Sequence, residues 1–529
     1  MTERARFGLK QVRRALARLP PLGRIPEAPQ VTVREPWPGI PERGARLLKG
    51  ELEIAGLITP VTRATFADTA LAEPVREAAL GFVWLRDLRA LGTDPARLRA
   101  RTLVADAMAI PPDPVATQPH IVGTRLAAWL ANYEFYAASA EDNFRQKLMA
   151  HIIADARALA AALPAETLDR RGLAALKGLV AVAVAVPELP AFMTRVQRFL
   201  PAELARQIAA DGTQVERSPA AQLAVLADML EIRALFQASR VAPPLALAAA
   251  IERASLALRA LRHADGALAL FNGTREHQAA AVERVLAQVG RGGRPANFLP
   301  EGRFHRLTGG KTLVLVDAGA PPPPGLDRTA HAGTLSFELS IGRERLIVNC
   351  GAVPPAPGPW RDALRATAAH STLTIADMSS SELRPDGLGR RPAKVEATRH
   401  EANGAHWLEL SHDGWHRAFN AIHRRKLYIS PEGDTVAGED SIEAPEPLSY
   451  TLRFHLHPGV TASLQQDGAA LLRLPSGGFW RLRADALPLA IEESIYFGAE
   501  LPRRGEQIVL TGFRDSPQRV EWAITRVSP

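Results

Sequence analysis

Near residue 300 the spacing of apolar side chains changes from a helical period to a strand period, so the chain must bury two different kinds of surface. From about residue 65 to 290 it is rich in Ala and Leu at helical spacing, as in "LAAWLANYEFYAASAEDNFRQKLMAHIIADARALAAAL" and "LALAAAIERASLALRALRH". No strand-like run interrupts these stretches, which predicts helices in series. Beyond residue 300 come short β-rich runs: "KTLVLVDA", "TLSFELSI", "ERLIVNC", "STLTIAD", "HWLELS", "RKLYIS", "YTLRFHLHP", "FWRLRA", "QIVLTG" and "EWAITRV". Runs of this length separated by turns predict a large antiparallel β domain. At 529 residues the chain is too long for one core. The expected division is a lead-in over 1–64, a helical domain over 65–299 and a β domain over 300–529.

Composition excludes several classes. With 47% hydrophobic and 23% charged residues the chain reads as globular, and its one cysteine, Cys350, rules out an internal disulfide framework or a Cys-based zinc cluster. A net charge of +8 favours anionic partners, although nearly all of the 64 basic residues are arginine, a bias that GC-rich coding also produces. The longest apolar stretch, "GLVAVAVAVPEL", is too short to span a membrane, ends in a proline-containing turn at Pro187, and reads as a buried helix. The N-terminus "MTERARFGLKQVRRALARLPPLGRIP" lacks the apolar core of a secretory signal. Its Arg4, Arg6, Lys10, Arg13, Arg14 and Arg18 suit either a solvated helix or one lying on a membrane surface.

The residues that could carry chemistry are unevenly placed. Four of the 14 histidines precede residue 300 and ten follow it, among them His331 before "LSFELS" and His370 before "STLTIAD". Each taken alone is more often a hydrogen-bonded structural histidine than a ligand. "GGKT" at 309–312 ends like a phosphate loop, but a strand follows it where such a loop needs a helix, so that reading is rejected. In "DGTQVERSPAAQL", residues 211–223, Ser218 and Pro219 have the chemistry of a helix start.

The segments "DGTQVERSP", "NFLPEGRFHRLTGGKTLVLVDAG", "HAGTLSFELSIGRERLIVNCG", "RATAAHSTLTIAD" and "RFHLHPGV" occur in order from about residue 120 onward. Together they resemble the heparinase II/III-like family of polysaccharide lyases. The resemblance implies an incomplete (α/α) toroid followed by a large antiparallel β-sandwich, a cleft between them, and a place in the periplasm or cell envelope. Because no signal peptide is visible, a cytoplasmic location is the alternative. The implied activity is β-elimination on uronate-containing, acidic glycans, with such a glycan as partner and no nucleic acid. That chemistry needs a group that neutralises the sugar carboxylate, a base for the C5 proton and an acid for the leaving oxygen.

The family's catalytic pattern is incomplete. A Ser-Pro-x-Tyr-His motif is implied after the Asp-Gly turn, but here Ala221 and Gln222 stand at the Tyr and His places, and Thr329 replaces the first histidine of a His-x-His element. Candidate replacements as catalytic groups are His370, Tyr133 and Glu216. Asn132, Tyr136, Arg217 and Gln222 are candidates for substrate binding. The resemblance implies a zinc ion at His331, Asn349 and His370, with Asn349 a poor ligand where relatives carry Asp. A lyase with degenerate machinery is the leading reading. Its rivals are a non-catalytic glycan-binding or envelope-biogenesis protein and a basic membrane-surface scaffold.

Overall fold

The computed structural model describes residues 25–527, apart from 55–56, 278, 291, 354–357 and 500. The basic residues before Arg24 that suit a membrane-surface helix therefore lie outside the described residues. The chain forms two compact units, one of residues 1–207 with 225–251, the other of 208–224 with 252–529.

The first unit is built from helices, among them Asp94–Met108, Pro119–Ala131, Asp142–Ala162, Arg171–Ala185 and Ala191–Gln207, with a small hairpin pairing Glu51–Ile54 with Leu57–Pro60. The apolar stretch at 178–186 is part of a buried helix, as its composition predicts. That helix crosses Pro119–Ala131 backbone against backbone: a Cβ on Gly178 would lie 2.2 Å from the carbonyl oxygen of Gly123. Glycine is required at such an approach. Beyond Arg171 at its start this helix carries one cation, and it is paired: Lys177 Nζ lies 2.6 Å from Asp228 and 2.7 Å from Glu231. Among the described residues no helix is long and apolar enough to cross a membrane.

The second unit carries the strands. An eight-stranded sheet runs in the spatial order Val395–Ala402, Ala405–Trp415, Ala421–Ile429, Thr435–Glu443, Arg519–Arg526, Phe479–Ala484, Ala470–Arg473, Thr461–Leu464. A nine-stranded sheet includes Phe304–Gly309, Thr312–Asp317, Phe337–Ile341, Glu344–Val348 and Tyr450–Leu456 at its centre. All of their strand pairs are antiparallel, and neither sheet closes into a barrel. Inward residues of both sheets, such as Val316, Phe337, Leu408, Trp415, Phe454 and Trp522, form one core. The segment ahead of the strands in this unit contributes Ala257, Leu261 and Phe271 to a second cluster with Phe304 and Leu315. The change of period thus marks the change from helices to strands. The "GGKT" segment is the tight turn between Phe304–Gly309 and Thr312–Asp317, with Gly310 at φ +50°.

Candidate functional site

The Asp-Gly turn at 211–212 belongs to the same unit as the strands. Asp211 accepts the amides of Thr213, Glu301 and Gly302, and Gly212 sits at φ +88°, where a Cβ would strike the Arg253 carbonyl. Ser218 then starts the helix Pro219–Ala238, accepting the amide of Ala221 at 3.4 Å. Gln222 holds the turn from inside: its Oε1 accepts the amide of Gln214 at 2.6 Å and its Nε2 donates to the carbonyls of Gly212 and Ala254. Glu216 is buried and accepts from Gln214 Nε2 at 3.1 Å. Ala221 is only 3% exposed. The space where the resemblance implies a tyrosine is closed by packing, so the small side chain at 221 leaves no opening there.

Arg217, in a left-handed conformation at φ +52°, is a clamp. Its guanidinium donates to the carbonyls of Gly302 and Ala320, pairs with Asp317 and lies over the Phe304 ring, 4.9 Å from the centroid. Each guanidinium nitrogen makes one of these bonds, so the side chain holds the turn in place. Asn272 continues the network, donating to the Arg217 carbonyl at 2.9 Å and accepting the His331 amide at 3.2 Å.

His331 and His370 do come together. Nδ1 of His331 is 3.1 Å from Nε2 of His370, and the rings meet edge to face at 5.2 Å. The tautomers follow from the partners. Nδ1 of His370 is 2.8 Å from the Ala366 carbonyl, which can only accept, so Nδ1 carries the proton and Nε2 the lone pair. Nδ1 of His331 then donates to that lone pair, which leaves Nε2 of His331 as the basic nitrogen of the pair. Burial lowers the pKa of His370 to about 4, and burial with the neighbouring His370, Arg365 and Arg361 pushes His331 well below the usual imidazole range. Both rings are neutral at physiological pH.

Asn349 is beside this pair but is spent elsewhere. Its Oδ1 accepts the Ser371 amide at 3.0 Å and its Nδ2 donates to Glu338 at 3.2 Å. Two imidazoles already in hydrogen-bond contact and an amide oxygen already occupied do not make a zinc donor set. Among the described residues there is no group of three or more His, Cys, Asp or Glu that could hold a metal ion.

Beside His331 a small cavity of about 40 Å³ is lined by Arg328, Thr329, His331, Arg361, Leu364 and Arg365, among others, and no carboxylate is in its wall. Arg365 is fixed by the carbonyls of Ala330, Arg384 and Gly387, and Asp362, outside the cavity wall, lies 3.2 Å from Arg361 and 3.4 Å from Arg365; burial, with Arg361 nearby, lowers the pKa of Arg365 although Asp362 opposes this. Sequence reasoning missed these arginines. Their signal is that they flank the histidines: Arg328 in "DRTAH", Arg361 and Arg365 in "WRDALRATAAH".

In the helical unit, Asn132 is 1% exposed and donates to the Ala128 carbonyl at 2.8 Å and to Glu35 at 3.5 Å. Tyr136 is fully buried with its hydroxyl on the Trp129 carbonyl, and burial raises its pKa well above 10. Tyr133 is 6% exposed, and burial raises its pKa too, although Arg145 opposes this. As placed, these three side chains are parts of the helical packing.

A family model for the C-terminal domain of heparinase II/III-like proteins matches residues 291–523. FtsZ-localized protein C of Caulobacter vibrioides (strain NA1000 / CB15N) is 34% identical over 534 residues, covering 95% of this chain and 91% of that protein. The chain belongs to the heparinase II/III-like family. Crystal structures of the family's fold agree along nearly its whole length: heparinase III at a TM-score of 0.74, with 13% identity over 98% of this chain and 90% of that one. A mutant of the heparan sulfate lyase HepC from Pedobacter heparinus gives 0.66, with 14% identity over 99% and 88%. At such identities the likeness concerns the fold alone, and it is the fold expected from the sequence: helices in series, then a large antiparallel β domain.

Proposed function

We propose that this member of the heparinase II/III-like family engages an acidic, uronate-containing glycan at the cavity beside His331. The observation that carries the reading is the wall of that cavity, three guanidinium groups and a neutral imidazole with no carboxylate. The cavity's size admits a carboxylate group and an ordered water but not a sugar ring, so one acidic substituent would enter it while the chain of sugars stayed outside. Arg328, Arg361 and Arg365 would neutralise that carboxylate, the step that acidifies the C5 proton. His331, oriented by His370, is the base this site offers, and His370, with both nitrogens engaged, acts as its positioning residue. A base of such low pKa is weak, and Ala221 and Gln222 supply no acid for the leaving oxygen. Loss of an acid/base group commonly costs about 10² to 10⁴ in rate, so β-elimination would be slow or absent and glycan binding the main activity.

The test pairs two measurements on the full chain. Calorimetric binding to a panel of uronate oligosaccharides should show affinity that Arg361→Ala weakens and rising salt reduces. Ultraviolet absorbance of the unsaturated uronate product should show slow or no turnover. Absence of binding across the panel would sink the glycan reading, and rapid turnover would sink the degenerate-site reading.

A second reading is favoured by one observation, the relative named FtsZ-localized protein C: a non-catalytic protein acting at the division site, with the basic N-terminus on a membrane surface. Imaging a fluorescent fusion, and asking whether it reaches the periplasm, discriminates between the cell-envelope location that the family suggests and a cytoplasmic one.

A further inference from the structure

The outer face of the eight-stranded sheet holds a groove of about 810 Å³ that the site beside His331 does not use. Its line of residues follows from strand register. Trp407 pairs with Tyr428, Tyr428 with Ala437, Ala437 with Ala523 and Ala523 with Arg483. Four inter-strand steps of about 4.8 Å make this row about 19 Å long. One end is an aromatic platform, Trp407 and Tyr428 with ring centroids 5.3 Å apart and Trp407 36% exposed. The middle is a shallow floor, because alanines stand where an outward strand position commonly carries a larger side chain.

The adjoining row is charged. Glu409, Lys426, Glu439 and Glu521 lie in register beside the floor, with Asp485 at its end. Lys426 lies 3.3 Å from Glu439, and Arg519 pairs with Glu439 at 2.8 Å and with Glu521, whereas Glu409 and Asp485 have no cationic partner among the described residues. Four carboxylates against Lys426 and Arg483 leave the groove's lining net acidic on a chain whose net charge is +8. That balance favours a cationic ligand over a polyanion.

The strands that carry the platform, the floor and the charged row are interior to the sheet, and only His400 reaches the groove from the edge strand Val395–Ala402. The backbone donors and acceptors of the floor are already paired, so an extended peptide lying along the row finds no edge there to augment. A pyranose chain needs none: its C–H faces stack on aromatic rings, and its polar substituents reach the flanking carboxylates. We propose that this groove binds a glycan built of amino sugars with free amines, ring faces on Trp407 and Tyr428 and ammonium groups at Glu409, Glu439, Glu521 and Asp485. It is separate from the acidic-glycan site and does not depend on it.

The experiment is calorimetric titration of the full chain with a glucosamine hexamer, its fully N-acetylated counterpart, a sulfated uronate oligosaccharide and an arginine-rich peptide. The glucosamine hexamer should bind, Trp407→Ala should weaken it about tenfold, and Glu409→Gln with Glu521→Gln should weaken it further while flattening its salt dependence. Trp407→Ala should leave binding of the uronate oligosaccharide unchanged, which separates this site from the one beside His331. Circular dichroism of each variant checks that the fold is retained. Equal affinity for the acetylated hexamer overturns the charge argument, tighter binding of the peptide in competition with the sugar overturns the choice of ligand, and a Trp407→Ala variant that binds as wild type overturns the location.

Discussion

Asp440→Ala should be among the most damaging single substitutions in the β unit. Asp440 and Arg425 are both fully buried, and the carboxylate accepts four bonds: Arg425 Nε at 2.8 Å and Nη2 at 3.1 Å, His423 Nε2 at 2.7 Å and Trp522 Nε1 at 2.9 Å. Truncation leaves the guanidinium with only the Leu335 and Ser371 carbonyls, at 2.8 and 3.0 Å. An uncompensated buried charge costs about 3 to 5 kcal/mol, and each orphaned neutral donor adds about 1 to 3. A loss of at least about 4 kcal/mol is expected, a large share of the roughly 5 to 15 that holds a domain together. If Asp440→Ala fails to fold, Asp440→Asn is the measurable variant. In guanidinium denaturation, with midpoint and slope read together, the double variant Arg425→Leu, Asp440→Leu should be more stable than Asp440→Leu alone, because it removes the stranded charge. Although burial raises it, Arg425 and His423 hold the Asp440 pKa well below the ordinary carboxylate value. Its stabilisation is therefore present above the unfolded pKa of about 3.9 and lost as pH falls through the folded value, a component that Asp440→Asn should lack. A single variant costing under about 1 kcal/mol, or a double variant less stable than the single, would refute the reasoning.

His305 is 2% exposed, neither ring nitrogen has a partner, and burial, with Arg399 and Arg303 nearby, lowers its pKa to about 4. It destabilises the fold as pH drops below the unfolded value of about 6.5, so His305→Phe should gain up to about 3 kcal/mol near pH 4 and nothing above neutrality, read by melting across pH. Asn349→Asp sets a carboxylate against buried Glu338 and should cost about 1 to 3 kcal/mol without creating tight zinc binding; stoichiometric zinc by elemental analysis would contradict this. Ala221→Tyr forces a phenol into a closed site and should lower stability by about 1 to 3 kcal/mol without restoring elimination, as melting and product absorbance will show.

The periodicities made the architecture legible, and the strands that escape them have a physical signature. Val395–Ala402 reads "VEATRHEA", an edge strand with scarcely a buried side chain, so alternation of apolar residues is weak. Thr435–Glu443 hides Asp440 among its inward positions, and Ala421–Ile429 was legible only in its second half, as "RKLYIS", because His423 and Arg425 stand in phase with Ala421, Leu427 and Ile429. Polar residues in phase with the apolar ones were the available signal of a buried ionic cluster. The pairing of His331 with His370 was legible only through family resemblance, since 39 residues separate them. Arg217 looked like a substrate ligand because nothing in "QVERSP" reveals its left-handed backbone or the carbonyls that claim it. Tyr133 and Tyr136 stood out as the only tyrosines before residue 300, yet rarity carries no information about exposure.

Because residues 208–224 belong with strands made much later, Arg217 must wait for its partners during synthesis. Asp317 and Ala320 follow it by 100 and 103 residues, about 5 to 20 seconds of translation. Over that interval a turn destined for burial has neither its counter-charge nor its carbonyls, while Val225–Ile251, needed by the other unit, has already been made. A nascent chain halted before residue 317 would carry a helical unit with all its residues and a stranded cation. The same interleaving means that a gene cut at residue 300 to isolate the strands discards their Asp-Gly turn, and recombination at that border would part Arg217 from Asp317.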